Sequence, residues 1–246
     1  MYGCVSAIVF YFGFKPVLAA MCCKWGTTGT SLPFVSFVLI HNWMLVWFSA
    51  HVCYNCWWDI YNSLTEYGLR DTYCNLFSER LAYAFYLSKL YEFVDTGILV
   101  VKRKKVPLLQ LYHHPGAALT MWGLWYTKSS GVMIFMALNS FVHTVMYTYY
   151  FFSALHIRLP GKRWVTNMQL IQFFVGMLVT LPIYTCQTFS QKVALTAVYA
   201  YIMPLLGLFA NFYRNCYLRT EINSVSSGTS KRPPPYQTQW LPKFPR

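Results

Sequence analysis

The sequence predicts an all-α integral membrane protein: a bundle of seven transmembrane helices with the N-terminus lumenal and the C-terminus cytosolic. Three observations carry that expectation. Of the 246 residues, 56% are hydrophobic and only 11% are charged, whereas a water-soluble domain carries about 25% charged residues. The hydrophobic residues gather in runs of about 20, the length that crosses a bilayer as a helix. The basic residues alternate from loop to loop as positive-inside orientation requires.

Taken in order, the runs cover 2–21, 32–54, 80–101, 106–126, 131–152, 168–188 and 191–212. Lys15-Pro16 interrupts the first, but it lacks the basic n-region of a signal peptide and reads as a span. Short polar loops join the others, with 55–79 as the one long connection. Residues 1–221 make a single transmembrane domain. Residues 222–246, rich in Ser, Pro, Lys and Arg and containing Pro233-Pro234-Pro235, read as a disordered basic cytosolic tail. In this topology the cytosolic segments hold Lys24, Lys102-Arg103-Lys104-Lys105, Arg158, Lys162, Arg163, Arg214, Arg219 and the tail cations. The lumenal side keeps Arg70, Arg80, Lys128 and Lys192. The net charge of +13 is therefore a topology signal. Nucleic acid is not an expected partner, because the cations are scattered over membrane loops.

Polar residues interrupt three of the runs. Lys89, Glu92 and Asp95 lie in the third, Gln110, His113 and His114 in the fourth, and Asn139 and His143 in the fifth. Ionisable groups in hydrocarbon are costly and mark functional sites. At 1.5 Å per residue, His113 lies roughly 11 Å inside the cytosolic edge, Glu92 and His143 roughly 14 Å, and Asp95 roughly 9 Å. Gln169 and Gln172 open the sixth run from the same side. One layer in the cytosolic half thus collects groups from several helices. Lys89 and Glu92, at i and i+3, can pair along one helix face. Asp95 can hold an imidazole. A neutral imidazole is a nucleophile or a general base. Asn139 lies one turn from His143, and Tyr147 and Tyr150 continue its face. Lys102, Arg103, Lys104 and Lys105 adjoin the layer, where they can anchor the loop or bind a polyphosphate.

None of the eight cysteines falls between 75 and 185, so the layer contains no thiol nucleophile of its own. Cys74 precedes the third run and Cys186 ends the sixth. Both belong to the lumenal face, and a disulfide between them is expected. Cys53 and Cys56 have redox-motif spacing, but read as packed thiols.

Two other classes fit parts of this pattern. Seven spans suit a receptor or a transporter, which leaves the layer of histidines and carboxylates unexplained. Di-iron desaturases and hydroxylases use histidine boxes of the HxxHH form. Here Gln110 stands at the first position, and glutamine is a poor iron ligand. Of the six histidines, His41 and His51 are expected towards the other side of the bundle and His156 in a loop. No metal and no cofactor are expected.

Lys89-Leu90-Tyr91-Glu92-Phe93-Val94-Asp95-Thr96 resembles the KxxExxDT motif of the ELO family of very-long-chain fatty acid elongases. Asn139 to Tyr150 matches that family's NxxxHxxMYxYY, and Thr166 to Gln172 matches its TxxQxxQ. The order and spacing agree over about 80–180. The histidine box departs from the usual HxxHH, with Gln110 in the first place. That form resembles a microbial and algal subgroup acting on C18 polyunsaturated chains at the delta-9 position. The resemblance implies a 3-ketoacyl-CoA synthase of the endoplasmic reticulum membrane, joining acyl-CoA to malonyl-CoA with loss of CO₂. It assigns His113, His114, His143, Asn139, Glu92, Asp95 and Lys89 to catalysis. It assigns Gln110, Tyr147, Tyr150, Gln169, Gln172 and the Lys102–Lys105 loop to substrate. The implied partners are membrane lipid and the ketoacyl reductase, dehydratase and enoyl reductase of the cycle, with self-association left open.

Overall fold

The computed structural model describes residues 2–24, 31–157 and 159–218, and these are helical almost throughout. Helix α1 covers Tyr2–Lys24, α2 Leu32–Asn75, α3 Glu79–Tyr91, α4 Phe93–Val101 and α5 Leu108–Tyr126. Then come α6 (Gly131–Ala154), α7 (Lys162–Thr180), a 3₁₀ turn (Leu181–Thr185), α8 (Phe189–Tyr213) and a π turn (Arg214–Leu218). Five of these segments, α1, α2, α6, α7 with its turn and α8 with its turn, are long and apolar enough to cross a membrane. The protein is a multi-pass membrane protein. The α3–α4 stretch and α5 are the segments loaded with polar residues. The tail over 222–246, Arg158 and Arg219 lie outside the described residues.

The expected connection over 55–79 is largely helix. α2 continues through Trp57, Trp58 and Ile60, and breaks only at Gly68, where φ is +80°. Glycine enters that region without a Cβ clash. The expected third span is also divided. The α-helix ends at Tyr91 and restarts at Phe93, with Glu92 at the junction.

Helices α4, α5 and α6 end on left-handed residues that are not glycine: Arg103, Lys128 and His156, with φ of 53°, 53° and 62°. In each case the next amide reaches back to close the turn: Lys104 N–H to Leu99 O, Ser129 N–H to Leu124 O, Ile157 N–H to Phe152 O. These are Schellman closures, which satisfy carbonyls the helix leaves open. A side chain there costs roughly 1–2 kcal/mol.

Helices α3, α5, α8, α7 and α6 pack in that order around a ring, and α6 returns to α3. The interior is tight, with Leu124, Val132, Met133, Met136, Leu195 and Leu205 fully buried. Helix α1 lies outside against α4 and α5, and α2 outside against α6. Their outer faces expose Val9, Phe10, Trp43 and Trp47, a composition that suits lipid. At one end of the ring Cys74 and Cys186 form a disulfide that closes 112 residues of chain. Beside it Ser129 donates to Gln187 Oε1 (2.8 Å), and Gln187 Nε2 donates to Ser130 (3.1 Å). The other end carries the Lys102–Lys105 loop.

Candidate active site

The ring encloses a cavity to which all five of its helices contribute. Its polar lining includes Lys89 from α3, His113 and Thr120 from α5, Asn139 from α6, and Gln172 from α7. Phe85, Met121, Phe135 and Val198 supply apolar wall towards the disulfide end. Tyr201 of α8 also lines it, donating its hydroxyl to the His113 carbonyl at 3.0 Å. That contact depends on Gly116, since a Cβ there would fall on the Tyr201 ring.

Lys89, Glu92, Asn139 and His143 form one network. Lys89 Nζ donates to Glu92 Oε1 and to Asn139 Oδ1, each at 2.7 Å. His143 Nδ1 lies 3.3 Å from the same Glu92 oxygen. A carboxylate can only accept, so Nδ1 carries the proton and Nε2 is left for another partner. Lys89 and Glu92 are 3% and 2% exposed. Burial of that pair is tolerable because each charge has its counter-ion and its hydrogen bonds.

Asp95 heads a second network. Its Oδ2 accepts from the Tyr147 hydroxyl at 2.7 Å, and its Oδ1 accepts from His41 Nε2 at 2.8 Å. His41 Nδ1 is 3.2 Å from the Tyr91 hydroxyl. The imidazole that Asp95 holds is therefore neither His113 nor His114. His41 does not lie on the other side of the bundle, as expected from sequence; it belongs to the polar layer. The arithmetic that finds the layer also reaches it, because His41 is nine residues from the start of α2, or roughly 14 Å deep.

The α5 residues divide. His113 faces the cavity. His114 turns the other way, buried beside Tyr11 and Phe93, and its Nδ1 has no hydrogen-bond partner among the described residues. Gln110 Nε2 donates to Thr96 Oγ1 at 3.1 Å, which in turn pairs with the Tyr11 hydroxyl at 3.0 Å. The structure thus sets Gln110 in a bracket between α1, α4 and α5, away from the cavity. Gln169 donates to Met146 Sδ, and Tyr150 packs edge-on to Tyr147. Neither lines the cavity. Gln172 does, and its Oε1 has no hydrogen-bond partner among the described residues.

At the far end Arg103 and Lys105 are exposed, whereas Lys102 and Lys104 are half-buried. Lys104 Nζ is buried without a partner among the described residues. Burial, with the charges of Lys102 and Lys162 nearby, pushes its ammonium down to about 8. Burial lowers Lys102 as well. Among the described residues no three His, Cys, Asp or Glu side chains are grouped to hold a metal ion.

The ELO family, described as GNS1/SUR4, matches residues 3–224. A Dictyostelium discoideum protein named as a putative fatty acid elongase is 30% identical over 81% of this chain and 71% of its own length. Long chain fatty acid elongase 1 of Caenorhabditis elegans is 30% identical over 73% of this chain and 67% of its own. Very long chain fatty acid elongase 5 of Xenopus laevis is 29% identical over 74% of this chain and 65% of its own. The matches cover only 41% and 43% of two Schizosaccharomyces pombe relatives. The family match takes in every helix that builds the cavity, and the chain belongs to the ELO (GNS1/SUR4) family.

Proposed function

We propose that the protein is a condensing enzyme of fatty acid elongation, a 3-oxoacyl-CoA synthase that lengthens a long-chain acyl-CoA by two carbons. The observation that carries this reading is His113 opening onto an apolar cavity whose polar rim is Lys89, Asn139 and Gln172. The neutral His113 ring attacks the acyl thioester. The carbon–sulfur bond breaks, CoA leaves as a thiolate and takes up a proton, and the acyl group stays on the imidazole. Malonyl-CoA then loses CO₂, and the electron pair of the broken carbon–carbon bond becomes an enolate. Its carbon attacks the acyl carbon, and the carbon–nitrogen pair returns to His113. Asn139 and His143, the latter as an imidazolium against Glu92, stabilise the enolate. Lys89 keeps Glu92 paired.

Seven spans fit this reading, with α3–α4 and α5 as the third and fourth, an N-terminus in the lumen and a C-terminus in the cytosol. Residues 1–221 are then the catalytic domain and 222–246 a cytosolic tail. The CoA phosphates meet the Lys102–Lys105 loop, and the acyl tail runs towards the disulfide end. The site belongs in the endoplasmic reticulum membrane, where the ketoacyl reductase, dehydratase and enoyl reductase take up the product. By likeness to the subgroup that shares the Gln110 box, the preferred substrates are C18 polyunsaturated chains, with Gln110 acting through the α1–α4–α5 bracket and not from the cavity wall.

Purified protein incubated with acyl-CoA alone should release free CoA and gain the acyl mass on His113. Release only after malonyl-CoA is added would rule out the acyl-imidazole. A host expressing the chain and fed C16 to C22 acids one at a time should accumulate the C20 product of a polyunsaturated C18 acid. Elongation of saturated acids only would end the subgroup reading.

A further inference from the structure

We propose that His41, on the outer helix α2, is a positioning residue for the condensation half of the reaction, acting through Asp95 and Tyr147 on the ring of His143. The proposal rests on the two-step reading above. α2 contributes nothing to the cavity lining, yet it drives one imidazole into the polar layer, where it is 1% exposed. An imidazole in hydrocarbon is costly unless its partners repay it. His41 reaches Asp95 and Tyr91 across two helix interfaces.

The geometry separates two carboxylates that would otherwise compete. Glu92 and Asp95 stand three residues apart, within reach of one another's partners. Glu92 holds Lys89 and His143. Asp95 has both oxygens occupied, one by α2 and one by α6. Without His41, Asp95 keeps Tyr147 as its single donor and is free to pull that hydroxyl out of line. Tyr147 transmits the constraint. It is 1% exposed, lies at i+4 from His143 on α6, and sets its ring edge-on to the imidazole at 5.5 Å. His113 has no part in this chain of contacts. Loss of His41 should therefore disturb the His143 half of the site and spare the His113 half.

The experiment measures both halves in the full-length protein. His41 stacks on Phe37 with ring centroids 6.2 Å apart, so His41→Phe keeps a ring there and removes both hydrogen bonds. CoA release from acyl-CoA alone should stay within about 2-fold of the starting protein, whereas condensation with malonyl-CoA should fall on the order of 100-fold. His41→Gln, which restores a donor towards Asp95, should recover most of that loss. In a Tyr147→Phe background, His41→Phe should cause little further loss. Equal slowing of both halves, no slowing, or additive losses with Tyr147→Phe would each overturn the proposal. If His41→Phe is not recovered folded, His41→Gln and His41→Asn are compared by the same ratio of the two rates. A starting protein that releases no CoA before malonyl-CoA is added defeats the acyl-imidazole reading instead. In that event His41 is judged on condensation alone, by rescue with Gln and masking by Tyr147→Phe.

Discussion

The two ends of the ring both bury polar groups, and they do so by opposite rules. At the disulfide end Ser129, Ser130 and Gln187 are neutral and hydrogen-bonded to one another. In the layer nearer the Lys102–Lys105 loop most of the groups are ionisable, and one buried atom that faces the cavity, Gln172 Oε1, has no partner among the described residues. A polar cluster that only joins helices gains by satisfying every atom. A site that must receive a ligand keeps some valences open and accepts the desolvation cost until the ligand arrives. The contrast makes four predictions.

The largest effect should come from the open layer. His113→Ala should lower product formation from radiolabelled malonyl-CoA by at least ~1,000-fold, while Ser129→Ala leaves the rate unchanged and costs only stability. An active His113→Ala protein would remove the distinction between the two ends.

Next comes the covalent tie. The Cys74→Ser, Cys186→Ser double variant should lose about 2–4 kcal/mol, since the bond closes a long loop. A lower melting temperature in detergent, with an unchanged initial rate well below it, is the expected result. A change in rate at low temperature would mean that this end takes part in the chemistry.

Gln172→Leu should cost on the order of 10-fold in kcat/KM if its open carbonyl receives substrate. Its melting temperature should hold or rise, because an unsatisfied polar atom is removed from a buried position. A fall in stability instead would class Gln172 with Ser129 and Gln187.

The smallest effect concerns Lys104. Its ammonium is lowered to about 8 from the ordinary 10.5, so the free protein bears the cost of a buried charge below pH 8. That cost fades as pH rises from about 8 to 10.5. A bound phosphate favours the charged form. CoA affinity should therefore be level below pH 8 and decline above it, with binding taking up a proton in that window. Calorimetry in two buffers of different ionisation enthalpy measures the uptake, and Lys104→Met should abolish it.

Much of the layer is legible in the sequence because depth in a helix is arithmetic. Residue counting alone puts Glu92, Asp95, His113 and His143 in one layer, and the structure sets Glu92 against His143 there. Which carboxylate meets which imidazole is a matter of helix packing, and spacing is silent on it. The depth of His41 is countable in the same way, but α2 carries no other ionisable group at that depth, so nothing in the sequence marks which face it shares with Asp95. The helix over 55–67 is masked by Asn55 and Asp59 among interfacial tryptophans, which read equally as a loop. The ends of α4, α5 and α6 carry no glycine, so their left-handed closures have no signature. The break at Glu92 has neither proline nor glycine to announce it.

The disulfide has a mechanical consequence. A bundle stapled at one rim cannot dilate evenly; its fluctuations have a node at the staple and grow along the helix axes. The widest transient gaps then fall at the opposite rim, beside the basic loop. The stapled rim stays the stiffer of the two. Reducing that single bond would spread the motion over both rims, and the bundle would lose its one fixed end.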